Sequence, residues 1–168
     1  MAVSDEIALT LTRGSWDNYV LRGAAQPASL KLSSWRSRAI ARVGDESYEL
    51  SMSGVIDRGA CARRLGQEQP IIRIGRKSCV LPVAGSATWR VRARWSGHDA
   101  TLRVAELGEI GLHLGRRSRS DLLARVYGQW LERDLTVLTA AFVLLLRRRD
   151  DTASGAAGAM IAATASFG

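Results

Sequence analysis

The sequence predicts a mainly β protein: an antiparallel β-barrel that encloses a hydrophobic C-terminal α-helix. The run Leu135–Leu146 contains no charged residue, so a helix here is apolar on every side and has to be buried. Nearly everything upstream alternates apolar and polar residues in short runs separated by glycine, which is typical of antiparallel sandwiches and barrels. With 168 residues, of which 46% are hydrophobic, the chain is large enough for one domain with a substantial core. We expect that domain to span 1–151 and residues 152–168 to form a small-residue flexible tail, with a short packed helix as the lesser alternative.

The predicted central helix covers about residues 130–149. Its uncharged part is roughly 18 Å long, well short of the ~30 Å hydrocarbon layer of a bilayer, so burial in a protein core is favoured. The alternative is a tail-anchored membrane protein in which 135–146 enters the bilayer. Asp134 suits the first turn of such a helix, and Arg147–Arg149 suit the negative end of its dipole.

Two upstream strands are especially clear. Residues 35–43 read Trp-Arg-Ser-Arg-Ala-Ile-Ala-Arg-Val and residues 89–95 read Trp-Arg-Val-Arg-Ala-Arg-Trp, and both patterns place arginines on one face. A glycine turn follows each strand, which indicates a weak internal repeat of two hairpins. Trp35, Trp89 and Trp95 fall opposite the arginines, so we expect them to pack in the core and not to stack on nucleic-acid bases.

The other predicted strands are shorter. They cover residues 7–11, 19–21, 30–32, 47–52, 55–56, 60–62, 71–74, 78–81, 101–104 and 110–114. Gly44-Asp45 is the turn between the strand at 35–43 and the one that follows it, and Gly75–Lys77 is expected to join a second hairpin. Residues 122–127 fit either a last strand or the start of a helical period.

The chain is strongly basic, with a net charge of +8 that comes almost entirely from arginine, since Lys31 and Lys77 are the only lysines. Such a surface favours partners that carry phosphate groups, although a compositional bias spread over a solvated surface explains the charge equally well. The N-terminus lacks the basic and then apolar pattern of a secretory signal. The expected location is therefore the cytoplasm.

The sequence contains no constellation that indicates catalysis. Cys61 and Cys79 are isolated, and neither His98 nor His113 has an acidic or cysteine neighbour at metal-ligand spacing. There is no Gly-x-Ser-x-Gly elbow, no phosphate-binding P-loop and no dinucleotide fingerprint. We therefore predict a protein without enzymatic activity, without catalytic residues, and without a cofactor or a metal site.

A shell of short antiparallel strands around an unusually apolar helix near the C-terminus resembles the tubby-like superfamily. That group includes tubby C-terminal domains, LURP-one-related proteins and the cytoplasmic domain of phospholipid scramblases. The resemblance is one of architecture and covers the strand-rich region of about 5–126, the run 135–146 and the early Ser34-Trp35-Arg36 strand. It implies a barrel that works near membranes and binds phosphoinositide headgroups through basic surface residues. The chain lacks the acidic calcium-binding segment and the cysteine cluster of scramblases, which argues against lipid scrambling.

The outward arginines of the two clear strands are the candidate binding residues. If these strands are neighbours, their guanidinium groups form one basic patch that can hold phosphate oxygens. The residues of this patch are Arg36, Arg38, Arg90, Arg92 and Arg94. The alternative is an ordinary solvated surface, on which Glu49 and Asp99 pair with these arginines and each pair contributes only ~0–1 kcal/mol.

The function that the sequence predicts is peripheral association with anionic phospholipid headgroups, or with a partner protein, through this arginine surface. Salt would weaken such binding, because surface charges are screened over a Debye length of ~8–10 Å. Alternatives are the tail-anchored protein and a sequence-nonspecific nucleic-acid-binding β domain, the latter being less favoured. A pleckstrin-like barrel is disfavoured because the C-terminal helix of that fold is amphipathic, whereas the run 135–146 is apolar on every side. The sequence indicates no oligomeric state.

Overall fold

A computed structural model describes residues 6–33, 37–53, 59–83, 85–117 and 119–165. Within these ranges the chain forms eleven strands followed by one long helix. The elements are β1 (Ile7–Arg13), β2 (Asn18–Arg22), β3 (Ala28–Leu32), β4 (Arg38–Val43), β5 (Glu46–Ser53), β6 (Gly59–Arg64), β7 (Ile72–Ile74), β8 (Ala87–Arg94), β9 (Gly97–Val104), β10 (Gly108–Gly115), β11 (Leu122–Gly128) and α1 (Arg133–Ala165).

All eleven strands belong to one sheet, whose hydrogen-bonded order is β7-β6-β5-β4-β3-β2-β1-β11-β10-β9-β8. Every neighbouring pair is antiparallel. The pairing of β1 with β11, which sets Ile7 opposite Val126, brings the first and last strands together. The sheet curls into a nearly closed barrel with the helix inside it. The predicted fold class, a mainly β antiparallel barrel around a hydrophobic C-terminal helix, is confirmed.

The two edge strands, β7 and β8, run in the same direction, because ten antiparallel pairings separate them in the sheet order. A tight hairpin cannot join two parallel strands, so the connecting chain has to travel back along the barrel. It begins this return beside β7, where Arg73 and Val80 exchange backbone hydrogen bonds of 2.7 and 2.8 Å. The expected hairpin of 71–74 with 78–81 is thus reduced to a single bridge. We call the gap between β7 and β8 the seam.

The helix fills the barrel interior. Every side chain from Leu135 to Leu146 is at most 3% exposed, and α1 contacts β3 to β7 in one half of the sheet and β9 and β10 in the other. Two threonines lie within the run, and each bonds its hydroxyl to the carbonyl one turn back: Thr136 to Glu132 and Thr139 to Leu135, both at 2.8 Å. These bonds satisfy the polar groups without a partner from the barrel wall. The segment that the tail-anchor alternative would place in a bilayer is therefore enclosed by the strands.

Two charged side chains attach α1 to the two ends of the barrel. Asp134, 6% exposed, accepts a 2.9 Å hydrogen bond from the amide of Ala25 in the β2–β3 turn, and this defines the lower end, where the helix begins. Arg148, 7% exposed, donates to the carbonyls of Arg117 and Ser120 in the β10–β11 loop at 2.9 and 3.2 Å, and this defines the upper end, where the helix leaves. Burial lowers the pKa of Arg148 below its usual value, yet an arginine remains charged at neutral pH.

The helix is longer than the sequence predicted. The expected range of about 130–149 was to be followed by a flexible tail, but helical backbone continues through 152–165. The reason is composition: this segment is dominated by alanine, which has the highest helix propensity, and contains no proline. Arg147–Arg149 consequently lie in the middle of α1 and not at its C-terminal dipole, which corrects the role expected for them.

Strand alternation was read correctly over most of the barrel. The turn at Gly44-Asp45 joins β4 to β5 as predicted, inward Ala39 and Ala41 are buried, and residues 122–127 form a strand, not a helix. Trp89 is in the core at 5% exposure, but Trp95 is 89% exposed, so its predicted burial is wrong. On β8 the inward position Ala93 is already exposed, which shows that the core ends before the turn. The predictions for Trp35 and for 55–56 lie outside the described residues.

Replacing Ala141 with Asp tests the enclosed helix. Ala141 is fully buried, so Ala141→Asp would place an unpaired carboxylate inside the barrel, a change that costs several kcal/mol, and we expect the variant not to fold. The matched control is Ala153→Asp, which introduces the same group at an exposed position of the same helix. Circular dichroism and thermal melting compare the two variants. Wild-type melting of Ala141→Asp would contradict the arrangement.

Candidate anion-binding cleft at the barrel seam

The predicted arginine patch is not assembled as one surface. Arg38 lies on β4, which pairs with β3 and β5, whereas Arg90, Arg92 and Arg94 lie on the edge strand β8. The two strands are not neighbours, so the condition on which a continuous patch depended is not met. Arg36 lies outside the described residues. The candidate site therefore consists of the arginines of β8 and the residues that lie across the seam from them.

Two of the predicted arginines are bound to carboxylates, as the solvated-surface alternative anticipated. Arg38 lies 3.5 Å from Glu49 on β5. Arg94 lies 2.6 Å from one oxygen of Asp99 on β9, whose other oxygen is 2.6 Å from Nδ1 of His113. All of these side chains are at least partly exposed, so the ion pairs add little stability.

Arg90 and Arg92 are different. Both are exposed, and neither forms an ion pair with any residue in the described part of the chain. Both lie on the wall of a cleft of about 1040 Å³ at the seam, which we call the seam cleft. Across the cleft from β8 are Arg76 and Lys77, which follow β7, and Arg147 from the helix also lines it.

The described lining of the seam cleft contains hydrogen-bond donors and no negatively charged residue. Its lining residues are Gly75, Arg76, Lys77, Ser78, Ala87, Thr88, Trp89, Arg90, Val91, Arg92 and Arg147. None of these is an aspartate or a glutamate. Trp89 adds a buried donor, because its indole Nε1 has no hydrogen-bond partner among the described residues.

Strand parity explains how the chain builds this site. With β7 and β8 running in parallel, the barrel cannot close by one more hairpin, and the residues that start the return connection face the edge of β8 across the seam. The alternating pattern of β8 is sufficient to identify Arg90 and Arg92 from the sequence. No sequence pattern identifies Arg76, Lys77 and Arg147, because they become neighbours of β8 only through closure of the sheet. An odd number of strands in an antiparallel sheet leaves two parallel edge strands. The number of strands is therefore the signal that could have indicated the seam.

A second cavity, of about 700 Å³, lies at the lower end of the barrel. Tyr48, 1% exposed, lines it and donates its hydroxyl hydrogen to the carboxylate of Glu46. Burial, with help from Glu46 and Glu132, raises the pKa of Tyr48 to about 12. A second carboxylate of this cavity, Asp134, accepts hydrogen bonds from Ala25 and Arg133.

Within the described ranges, no three His, Cys, Asp or Glu side chains are placed so that they could share a metal ion. None of the helical residues described forms a segment both long enough and apolar enough to cross a membrane.

Comparisons with known protein families, with curated proteins and with solved structures found no significant match. The resemblance to the tubby-like superfamily therefore stays a prediction that rests on architecture.

Replacing Tyr48 with Phe tests the raised pKa. The folded protein holds the phenolic proton up to about pH 12, while the unfolded chain releases it near pH 10. The stability contributed by the neutral phenol is therefore complete below pH 10 and is lost as the pH rises toward 12, by roughly 2 kcal/mol. Urea denaturation at pH 9 to 12 should show the wild type losing this much relative to Tyr48→Phe. Parallel pH profiles for the two proteins would contradict the assignment.

Proposed function

We propose that this protein is a non-enzymatic binding module that associates peripherally with anionic phospholipid headgroups through the seam cleft. The observation that carries the proposal is the lining of that cleft, which presents guanidinium and ammonium donors and, among the residues that the structure describes, includes no carboxylate. Arginine binds phosphate oxygens in pairs through its planar fork of N–H groups, and such charge-assisted bonds are stronger than neutral ones. The expected location is cytoplasmic, at the membrane surface.

The two walls of the cleft suit a ligand that carries more than one phosphate. Arg90 and Arg92 are two residues apart on β8, so their side chains leave the same face of the strand. Arg76 and Lys77 belong to the other wall. A single phosphate can contact both walls at once only if the walls lie close together, whereas a headgroup with two phosphates can engage both walls of a wider cleft. A phosphoinositide headgroup therefore fits this arrangement better than a headgroup with one phosphate.

A partner protein is the second candidate, and one observation favours it. β8 is an edge strand of the hydrogen-bonded order, and an exposed edge can accept an extended peptide as an additional strand. The arginines that flank this edge would select an acidic peptide. A peptide that occupies the seam would prevent a headgroup from binding there, so an acidic peptide and a soluble headgroup should compete for this site.

Titration with a soluble headgroup tests the proposal. Isothermal titration calorimetry of the full chain with an inositol polyphosphate should show binding that weakens steeply between 50 and 200 mM salt. The double variant Arg90→Gln/Arg92→Gln loses two charge-assisted contacts, so we expect its affinity to fall by at least about tenfold.

The matched control removes the same net charge elsewhere. Arg22 and Arg42 are exposed on β2 and β4, so Arg22→Gln/Arg42→Gln should retain most of the affinity. Equal losses in the two double variants would assign the binding to net charge and contradict a site at the seam. The absence of headgroup binding by the wild type would overturn the proposal.

A further inference from the structure

Two tryptophans are almost completely exposed, and they lie at the same end of the barrel. Trp16, in the β1–β2 turn, is 87% exposed, and Trp95, in the β8–β9 turn, is 89% exposed. Four antiparallel pairings separate β1 from β8 in the sheet order, so these strands run in the same direction and end together. The β10–β11 loop, which holds Arg148 of the helix, is at this end as well. Both indoles therefore project from the upper end.

The turns hold these side chains outward. Trp16 has a φ of 50°, a left-handed conformation that is uncommon for a large residue, and Arg13 fixes it by donating from Nε to the carbonyl of Trp16 at 2.7 Å. Trp95 precedes Gly97, whose φ is 149°, and a side chain at Gly97 would fall 2.1 Å from the carbonyl of Leu114. Both turns are thus built in defined shapes whose outermost large groups are indole rings.

The loops at the two ends of the barrel carry opposite charge. The loops at the lower end contain no lysine or arginine, and their carboxylates are Asp45, Glu68, Glu106 and Glu132. The described loops at the upper end contain two carboxylates, Asp17 and Asp121, against five cations: Arg76, Lys77, Arg116, Arg117 and Arg119. Where α1 leaves the barrel, Asp151 is paired with His98 at 3.0 Å. The upper end is therefore the basic one.

The helix continues beyond this same end. From Thr152 to Ala165 it contains no charged residue, and its side chains are exposed from Asp150 through Gly155. At 1.5 Å per residue the uncharged part extends for roughly 20 Å. An uncharged helical extension is thus found beside the exposed tryptophans and the basic loops.

We infer that the upper end of the barrel is a membrane-docking surface, which meets an anionic bilayer end-on with Trp16 and Trp95 inserted at the level of the headgroups. Tryptophan favours the membrane interface because its ring is apolar with one polar edge, and basic residues around it are attracted to anionic lipid. The acidic lower end would face away from the membrane. This inference rests on the proposed function for the identity of the partner, but Trp16 and Trp95 lie outside the lining of the seam cleft.

A bilayer fits this surface better than a nucleic acid does. Binding of single strands uses aromatic side chains laid along a groove, on which successive bases stack. Here the two indoles stand at the tips of separate turns, with β11, β10 and β9 between β1 and β8. Projecting tips can enter a soft interface, whereas they provide no continuous stacking track.

The experiment measures partitioning of the full chain onto vesicles of phosphatidylcholine alone and with 30% phosphatidylserine, together with quenching of tryptophan fluorescence by brominated lipid. The variant Trp16→Ala/Trp95→Ala should bind the anionic vesicles at least about tenfold more weakly than wild type and lose most of the quenching. The matched control is Leu65→Ala/Leu131→Ala, which removes two exposed apolar side chains, 60% and 63% exposed, from the lower end. It should bind like the wild type.

Titration of the same variants with the soluble inositol polyphosphate separates this inference from the proposed function. Loss of vesicle binding with retained headgroup binding by Trp16→Ala/Trp95→Ala supports the docking surface. Wild-type vesicle binding by this variant overturns it, even if Arg90→Gln/Arg92→Gln has lost the headgroup. Equal losses in the tryptophan and leucine variants also overturn it, as does a wild type that ignores vesicles but binds an oligonucleotide through Trp16 and Trp95.

Discussion

A helix without a polar face has to be surrounded on every side, and this requirement determines the architecture. The run Leu135–Leu146 has no surface that could face water, and a two-layer packing would cover only one side of it. A curled sheet covers all sides at once, and its alternating strands present their apolar face inward and their charged face outward. The attachments of Asp134 below and Arg148 above then fix where along the barrel axis the helix stops. The arginine-rich outer surface follows from the same division, because apart from Asp134 and Arg148 the described carboxylate, lysine and arginine side chains are not buried in the core.

Alternation in the sequence was sufficient to predict the buried face of β4 and of the first part of β8, because the side-chain period of a strand is two wherever the strand lies. It could not predict how far the core extends along a strand, which is why Trp95 was assigned to the interior. Nor does alternation carry the order of strands in the sheet. Arg38 and Arg90 look equivalent in sequence, yet pairing puts them on strands that do not meet. The continuation of the helix past Asp151 depends on alanine propensity, a weak signal beside a composition that is also typical of flexible tails.

The seam cleft and the upper end illustrate two ways in which a barrel gathers residues that are distant in sequence. At the seam, an odd number of antiparallel strands leaves two parallel edges, and residues about seventy positions apart, Arg76 and Arg147, come to line one cavity. At the upper end, every second connection of the meander is collected in one place, so a charge bias confined to alternate loops becomes a charge difference between the two ends. Neither arrangement is visible as a motif, since its members are spread over most of the chain. Both follow from connectivity that the apolar core imposes.

The position of α1 in the chain has a consequence for biosynthesis. All eleven strands precede the helix, so the inward faces of the first strands leave the ribosome long before the element that will cover them has been made. Ile7 can pair with Val126 only after residue 126 has been synthesised, and the core is filled only when the last fifth of the chain has been translated. Contacts between such distant residues form slowly, and apolar surface left uncovered during synthesis invites aggregation. We expect the nascent strands to depend on chaperones, and the arginines of their outer face, through mutual repulsion, to help keep the unfinished sheet soluble.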